Sequence, residues 1–291
     1  NNGAMPRPVL TLGVGGVVAV LVVTLTSLAA GVVVATPSEA EATSARAKAK
    51  RTPPAGTKWT DPWTIRSANG RLDVYLVASL ARDVTIAGRA NMVATVWNGS
   101  FVAPVLSCKP GDRVVFTVRN DLPVIHNVHF HGLEITPLSP GDNAFRTIQP
   151  YSTFTYDFVI PADHPGGLLW YHSHAHGLVE MQVFSGMSAP LVVEGQLDAF
   201  PELAGVRTRL FALRDVQLPI PASGVLDSNA PTVRLVNGQL KPHVVLRPGS
   251  TELWSFANVG ADIFYQVALV DAKTNRPINM TLMSEDGVVR N

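Results

Sequence analysis

The sequence predicts an all-β protein built from two β-sandwich domains in tandem, preceded by an apolar N-terminal segment. After Arg71, apolar and polar residues alternate with period two in short runs. Pro, Gly, Asn and Asp residues separate these runs, and the runs fall into two series, which favours β-sandwiches. With 291 residues, 46% of them hydrophobic, the chain can bury two cores.

The first series defines a domain over residues 71–196. Its clearest predicted strands are Arg113–Arg119, Thr153–Val159 and Pro190–Glu194. The first of them follows Lys109-Pro-Gly-Asp112, in which the Pro-Gly pair predicts a tight turn.

The second series defines a domain over residues 205–291. Its predicted strands are Arg209–Leu213, Thr232–Val236, Val244–Leu246, Glu252–Phe256 and Phe264–Val270. Arg247-Pro-Gly-Ser250 repeats the turn of the first domain in front of another strand. The series ends at Asn291 without obvious closing strands, so we expect this domain to be incomplete.

The segment before the domains predicts targeting and not fold. Val9 to Ala35 is almost wholly apolar and is long enough to cross about 30 Å of hydrocarbon as a helix. We therefore interpret residues 1–35 as a signal peptide or a transmembrane anchor, with Ala40 and Ala42 offering a cleavage site. The expected location is extracytoplasmic, secreted or membrane-anchored. Residues 36–70, rich in Ala, Pro and charge, are expected to be a linker.

Composition excludes several classes of function. A formal net charge of +1 with 15% charged residues gives no field suited to nucleic acid. The single cysteine, Cys108, rules out an internal disulfide and any multi-cysteine metal site formed by this chain alone.

The histidines carry the main functional signal. Five of the eight histidines fall in His129-Phe-His131 and in His172-Ser-His174-Ala-His176. In a strand, residues i and i+2 point to one face, so each His-x-His pair presents two imidazoles about 6–7 Å apart. Imidazoles without thiolates or paired carboxylates suit copper or zinc better than magnesium or calcium.

His129-Phe-His-Gly132, followed by Trp170-Tyr-His-Ser-His174, resembles the first two copper motifs of the multicopper oxidases, the laccase-like family. Trp97-Asn-Gly-Ser100 and Ser188–Gly195 are also similar to that family's first domain. The resemblance is strong from Arg71 to Gly195 and weaker from Arg207 to Asn291. It implies tandem cupredoxin-like (plastocyanin-like) domains, which are Greek-key β-sandwiches.

The resemblance also implies roles for individual residues. His129 corresponds to a ligand of the type 2 copper, and His131, His172 and His174 correspond to ligands of the type 3 pair. Together they would form half of a trinuclear cluster that reduces O2 to water. Asp142 resembles the family's acidic residue that supplies protons, although in Ser139-Pro-Gly-Asp-Asn143 it also suits an exposed turn.

Other residues near these motifs are assigned supporting roles. His176 is expected to act behind the ligands or structurally, Trp170 and Tyr171 to pack around the site, and Glu180 and Gln182 to be weaker candidates for contact with the ligands. We expect structural roles for three further histidines, namely His126, His164 and His243.

The chain departs from the family pattern in what it lacks. A complete member carries His-x-x-His-x-His and His-Cys-His motifs in its last domain, and neither occurs in this sequence. Cys108 has no flanking histidines, so we expect a small buried residue and not a type 1 copper ligand. The leading hypothesis is thus an oxidase of phenol-like, amine or metal-ion substrates whose last domain is supplied in cis or in trans. The chain alone should be inactive.

Two alternatives remain at this point. The chain could be a copper-binding or scaffold protein without redox chemistry. His129-Phe-His131-Gly-Leu-Glu134 also resembles a cupin or zinc hydrolase site, in which a carboxylate joins the histidines. That alternative leaves the second His-x-His pair unexplained.

Overall fold

The structure, a computed structural model, describes residues 18–24, 30–34, 57–198, 200–218, 220, 227, 230–247, 249–271, 274 and 276–289. It confirms an all-β fold. The strands are β1 (Val18–Thr24), β2 (Ala30–Val34), β3 (Thr64–Arg66), β4 (Arg71–Ile86), β5 (Arg89–Trp97), β6 (Val105–Cys108), β7 (Arg113–Asn120), β8 (His129–His131), β9 (Thr153–Val159), β10 (Gly167–His172), β11 (Ser188–Val193), β12 (Arg207–Gln217), β13 (Thr232–Val236), β14 (Thr251–Asn258), β15 (Val267–Asp271), β16 (Thr281–Glu285) and β17 (Val288–Val289). A short helix, α1 (Val179–Phe184), and a 3-10 turn (Pro201–Leu203) accompany them.

The first domain is a sandwich of two sheets. One sheet has the order β5-β4-β7-β9, and the other has the order β3-β6-β11-β10-β8. Alternating residues of β7 are buried, which is the pattern of a strand with one face on a core. Phe116, Phe130, Tyr156 and Tyr171 meet edge to face in that core. The three strands that the sequence predicts here correspond to β7, β9 and β11.

The first domain extends into the segment expected to be a linker. β3 pairs in parallel with β6, so residues 64–66 form an edge strand of the second sheet. Further upstream, the Trp59 ring lies 4.7 Å from the Phe211 ring of the second domain. Apolar side chains of this Pro-rich stretch, such as Trp59 and Ile65, pack against the domain cores. The overall composition of the stretch did not predict this packing.

The second domain contains a sheet of order β13-β12-β14-β1-β16-β17 and a pair β15-β2, counting the described strands. Phe211, Trp254, Phe256, Tyr265 and Leu269 form its core. Both Pro-Gly turns are present: Asp112 N–H donates to Lys109 O and Ser250 N–H donates to Arg247 O, each over 3.1 Å. Gly111 and Gly249 have φ values of +86° and +76°, which a glycine accepts without strain.

One predicted strand of this domain is wrong. Val244–Leu246 forms no strand; the described backbone here has only an isolated bridge between His243 and Lys58. Val244 and Leu246 pack on the core while Val245 is 83% exposed, so the alternation is real. Pro242 and Pro248 flank this run in the sequence. Because a proline has no backbone N–H to donate, the residues between them are too few to form a ladder of strand hydrogen bonds.

The N-terminal apolar segment also differs from the expectation of a helix outside the fold. β1 pairs with β14 and with β16, and β2 pairs with β15. Seven of the twelve residues in these two strands are valine, and β-branched residues favour strands over helices. Among the residues that the structure describes, no helix is long and apolar enough to cross a membrane. The assignments of signal or anchor and of location stay predictions.

The two domains share buried contacts. Phe101 and Phe184 of the first domain pack with Val216 and Leu235 of the second. Arg214 on β12 is buried and donates to the carbonyl oxygens of Val183 and Ser188, at 3.0 and 2.6 Å. The second domain therefore supports α1 and the start of β11, next to the histidine-bearing strand β10.

Candidate metal centre

Strand pairing brings the two His-x-His motifs together. β8 and β10 are antiparallel neighbours in which His129 lies opposite His172 and His131 lies opposite Trp170. Directly opposed residues project from the same face of a sheet. The intervening residues Phe130 and Tyr171 point the other way and are fully buried. The alternation thus places aromatic rings in the core and imidazoles on the opposite face.

Three imidazoles converge closely enough to bind one metal ion. Ligand atoms of His129, His131 and His172 all lie within 4.8 Å of one another. The ring of His129 is 5.5 Å from that of His131 and 5.5 Å from that of His172. His174 follows β10, and its ring lies 5.2 Å from His129. All four histidines predicted as ligands are therefore in one cluster.

Several nitrogen atoms of the cluster are buried without a hydrogen-bond partner. They are Nδ1 of His129, Nε2 of His172 and Nδ1 of His174, within the part of the chain that the structure describes. A buried polar atom without a partner is costly. The three rings that carry these atoms lie 5.2–5.7 Å from one another, which fits a metal ion bound among them. The donor set of neutral imidazoles fits copper.

Hydrogen bonding sets the orientation of His172. Its Nδ1 donates to the backbone oxygen of Ser173 over 2.8 Å, which leaves Nε2 as the atom facing the cluster. Such a contact behind a ligand fixes the imidazole tautomer in metal sites. The indole of Trp170 stacks on the ring of His172 at 4.1 Å.

The surroundings of the cluster favour the neutral form of its imidazole rings. The pKa of His172 is lowered to about 3, mainly by burial; the hydrogen bond to the Ser173 carbonyl opposes this shift and the neighbouring imidazoles add to it. Burial also lowers the pKa values of His131 and His174, with the charge of His129 adding to the effect. Because a metal ligand must offer a lone pair, neutral rings favour metal binding at neutral pH.

Asp142 lies at this cluster and not in an exposed turn. The side chain is 8% exposed, and its Oδ2 is 2.8 Å from Nδ1 of His129. These two atoms are in contact but are not aligned as a hydrogen bond. Oδ1 accepts the N–H of Phe130 at 3.2 Å. A side chain on the preceding Gly141 would collide with the backbone of Thr136, so glycine lets this loop bring Asp142 inward.

Steric crowding explains why a glycine follows the first histidine motif. Gly132 has a φ of +91°, and a Cβ there would lie 2.7 Å from the side chain of Leu169 on β10. His-Phe-His-Gly therefore combines two same-face imidazoles with a residue that allows the strands to approach.

The remaining candidates are not among the converging ligands. His176 is exposed at the edge of the cluster, where its ring lies 5.3 Å from that of His174 and stacks on Phe145 at 5.3 Å. Glu180 is exposed on α1. His164 accepts the N–H of Glu134 at 3.1 Å, a structural contact, and Glu134 is not in the metal-binding group. Cys108 is buried, and burial raises its pKa to about 12, as suits a small core residue.

Sequence reasoning underrated His126. Its ring is fully buried behind the cluster, where Nδ1 lies 2.8 Å from Oε1 of Gln182. Asn127 is buried too, and its Oδ1 accepts the N–H of His174 at 2.7 Å. The available signal was position, since the two residues come three and two positions before His129, the start of the first motif. A turn-like context hid their contact with the second motif.

Comparison with known proteins identifies the first domain. Residues 81–198 match the family model described as multicopper oxidase. Copper resistance protein A of Pseudomonas syringae pv. tomato is 36% identical over 115 residues, which are 39% of this chain and 18% of that protein. Multicopper oxidase mco of Staphylococcus aureus is 27% identical over 66% of this chain and 41% of its own length. The chain thus spans less than half of these relatives.

Solved structures agree on the fold. The multicopper oxidase from Campylobacter jejuni, described as a metallo-oxidase, superposes with a TM-score of 0.55 at 24% identity, covering 65% of this chain and 41% of that one. A multi-copper oxidase from Pediococcus acidilactici gives 0.56 at 17% identity over 80% and 59%. Residues 81–198 are thus similar to a multicopper oxidase domain in sequence, and the solved structures share the fold.

Proposed function

We propose that this chain supplies one side of the copper site of a multicopper oxidase. The single observation that carries the proposal is the convergence of His129, His131 and His172 within 4.8 Å, with buried nitrogen atoms that lack partners. His129 would bind the type 2 copper, and His131, His172 and His174 would bind the type 3 pair, as the family pattern implies.

The chain's own residues prepare the site for copper. Burial and mutual repulsion keep His131, His172 and His174 neutral by lowering their pKa values, so their lone pairs remain available. The Ser173 carbonyl holds His172 with Nε2 toward the cluster. Bound copper supplies one-electron chemistry, which in this family couples oxidation of a substrate to reduction of O2 to water.

Asp142 has the position of a proton carrier. Reduction of O2 to water consumes protons, and a carboxyl group beside the reacting site can hold and release them. Oδ2 of Asp142 is next to His129, while Oδ1 is held by the Phe130 N–H. One oxygen is thus fixed by the backbone and the other faces the cluster.

The remaining parts of the enzyme would come from outside the described residues. We propose that a further cupredoxin domain, in cis or in trans, supplies the other trinuclear ligands and the type 1 copper. Electrons would then come from phenols, aryl amines or metal ions. The proposed location is extracytoplasmic.

The test begins with the coding sequence past the codon for Asn291. We expect His-x-x-His-x-His and His-Cys-His to follow in frame. The full product, loaded with copper, should consume O2 with a phenol or diamine, and the His129→Ala/His172→Ala variant should not. His243→Ala, a histidine of the second domain, is the control and should keep full activity.

Two results would contradict this function. O2 consumption that survives the double histidine variant would place the reaction elsewhere. Copper binding without any O2 consumption by the full product would instead favour the copper-binding scaffold.

A further inference from the structure

We propose that Gln182, His126 and Ser173 form a buried polar bridge that fixes the orientation of His172 before any metal binds. The bridge joins the loop before β8, the loop after β10 and helix α1. These three segments surround the histidine cluster. The proposal rests on the proposed function insofar as His172 is taken as a copper ligand.

The bridge is buried and fully hydrogen-bonded. His126 and Ser173 are 0% exposed and Gln182 is 3% exposed. Oε1 of Gln182 lies 2.8 Å from Nδ1 of His126 and also accepts the hydroxyl of Ser173. Nε2 of Gln182 donates to the carbonyl of Ile125 over 3.1 Å. One side chain on α1 therefore ties together both loops.

The donors and acceptors admit a single arrangement. The indole Nε1 of Trp97 lies 3.0 Å from Nε2 of His126, and an indole N–H can only donate. Nε2 of His126 must therefore accept, which puts the ring proton on Nδ1. Nδ1 then donates to Oε1 of Gln182, so the amide oxygen points toward His126 and Ser173.

The bridge ends at a metal-site histidine. Ser173 lies between His172 and His174, and its carbonyl oxygen accepts Nδ1–H of His172. Anchoring the Ser173 hydroxyl fixes the peptide that carries this carbonyl. Asn127 holds the other end of this same peptide group, because its Oδ1 accepts the N–H of His174. Two consecutive residues before the first motif thus hold two consecutive residues of the second.

A purely structural role would predict loss of stability alone, whereas a positioning role predicts a change in His172 itself. Gln182→Met removes the amide but keeps the volume. Gln217→Met is the matched control, because Gln217 is 5% exposed and its Nε2 donates to Asp227 O at 2.6 Å in the second domain. Both variants lose a buried amide, but only one should disturb His172.

The first readout is metal-free and uses the full chain. Histidine-selective ¹⁵N NMR should show the His172 ring of the wild type as one tautomer with the proton on Nδ1. In Gln182→Met we expect mixed tautomers, and in Gln217→Met the wild-type signals. Unchanged His172 signals in Gln182→Met would overturn the proposal.

Should Gln182→Met fail to fold, Ser173→Ala removes a single hydroxyl from the same bridge. Its matched control is Ser107→Ala, because Ser107 is 2% exposed and donates to Glu194, away from the cluster. We expect mixed His172 tautomers in Ser173→Ala and the wild-type signals in Ser107→Ala. Identical spectra for Ser173→Ala and the wild type would overturn the proposal.

The second readout is Cu²⁺ affinity by competition titration. Removing a group behind a metal ligand typically weakens binding about 10–100-fold, so we expect that loss in Gln182→Met. Gln182→Glu keeps an acceptor oxygen in place and should recover most of it. Equal affinity in Gln182→Met and the wild type would overturn the proposal. Failure of the wild type to bind copper would contradict the proposed function and leave the NMR outcome standing.

Discussion

The first domain buries unpartnered nitrogen atoms in neighbouring imidazole rings, whereas the second domain buries an unpartnered carboxylate and an unpartnered phenol. His129, His172 and His174 each have a buried nitrogen without a partner, and they converge. In the second domain, both carboxylate oxygens of Asp215 and the hydroxyl of Tyr265 lack partners. No metal-binding group was found there among the described residues.

Buried polar groups without partners can therefore be either ligands of a metal site or groups that destabilise the folded state. A bound metal ion would give the unpartnered imidazole nitrogen atoms a ligand bond, because their rings are neighbours. Burial raises the pKa of Asp215 to about 6, with Asp262 adding to the effect and Arg214 opposing it. The ionised form of Asp215 therefore destabilises the second domain. The histidines of the first domain instead offer ligand atoms for a metal ion.

The largest effect should come from the imidazoles. His129→Ala/His172→Ala removes two of the three ligands in the converging group, and we expect Cu²⁺ affinity to fall at least ~1000-fold, since neutral imidazoles are the principal copper donors of the site. Isothermal titration of the full chain measures this. His243→Ala should bind as the wild type does. If the double variant bound Cu²⁺ as tightly as the wild type, the histidine cluster of the first domain would not be the copper site.

The next largest effect should come from a buried ion pair of the second domain, between Arg209 and Glu252. Arg209 donates to both carboxylate oxygens of Glu252, at 2.6 and 2.9 Å, and both side chains are less than 10% exposed. Arg209→Met leaves a buried carboxylate and should lower the free energy of unfolding by about 3 kcal/mol. Urea unfolding measures this.

The control for that variant is an exposed pair of the first domain. Arg113→Met breaks the contact with Asp157, in which both side chains are more than 30% exposed, and water screens such pairs. Its effect on stability should be much smaller. Equal losses from the two variants would show that burial does not set the value of these pairs.

Asp142→Asn should produce a smaller change in metal binding. It removes the negative charge beside His129 but keeps the acceptor for the Phe130 N–H. We expect Cu²⁺ affinity to fall about 10-fold, as for other groups behind metal ligands. Asp163→Asn, an aspartate outside the cluster, is the control. A fall as large as that of the double histidine variant would mean that Asp142 itself binds the metal.

The last expected effect is a gain of stability that depends on pH. A folded pKa of about 6 against the ordinary 3.8 for Asp215 means that the folded state resists deprotonation. The penalty is absent below about pH 4, grows as the pH rises to about 6, and is complete above it. Asp215→Asn should therefore raise the free energy of unfolding by at most about 3 kcal/mol at pH 8, since the shift spans roughly two pKa units and each pKa unit is worth about 1.4 kcal/mol.

At pH 4 the same variant should match the wild type. Denaturant unfolding at the two pH values makes the comparison. A gain of equal size at both would show that the carboxylate charge is not the cause.

The sequence predicted the all-β fold, and the local signals behind that prediction lie in the alternation of single strands. Alternation determines which residues of β7 and β9 face the core, and i, i+2 spacing puts His129 and His131 on one face. The pairing of β8 with β10 was not predicted from the sequence, yet it decides that His172 meets His129.

The rest could not be predicted because it depends on long-range contacts. Gln182 reaches Ile125 and His126 across more than fifty residues, and no periodicity encodes that meeting. The valine-rich strands β1 and β2 have the composition of a targeting segment, and only their partners β14 and β15 distinguish a strand. The linker expectation failed at β3 for the same reason.

The central claim is that one histidine cluster of the first domain binds copper. Crystals of the full chain grown with Cu²⁺ would test it directly through anomalous scattering measured at the copper and zinc edges. A copper peak within bonding distance of His129, His131 and His172 is the predicted result. A zinc-only signal at the cluster, or copper peaks confined to exposed histidines such as His176, would contradict it.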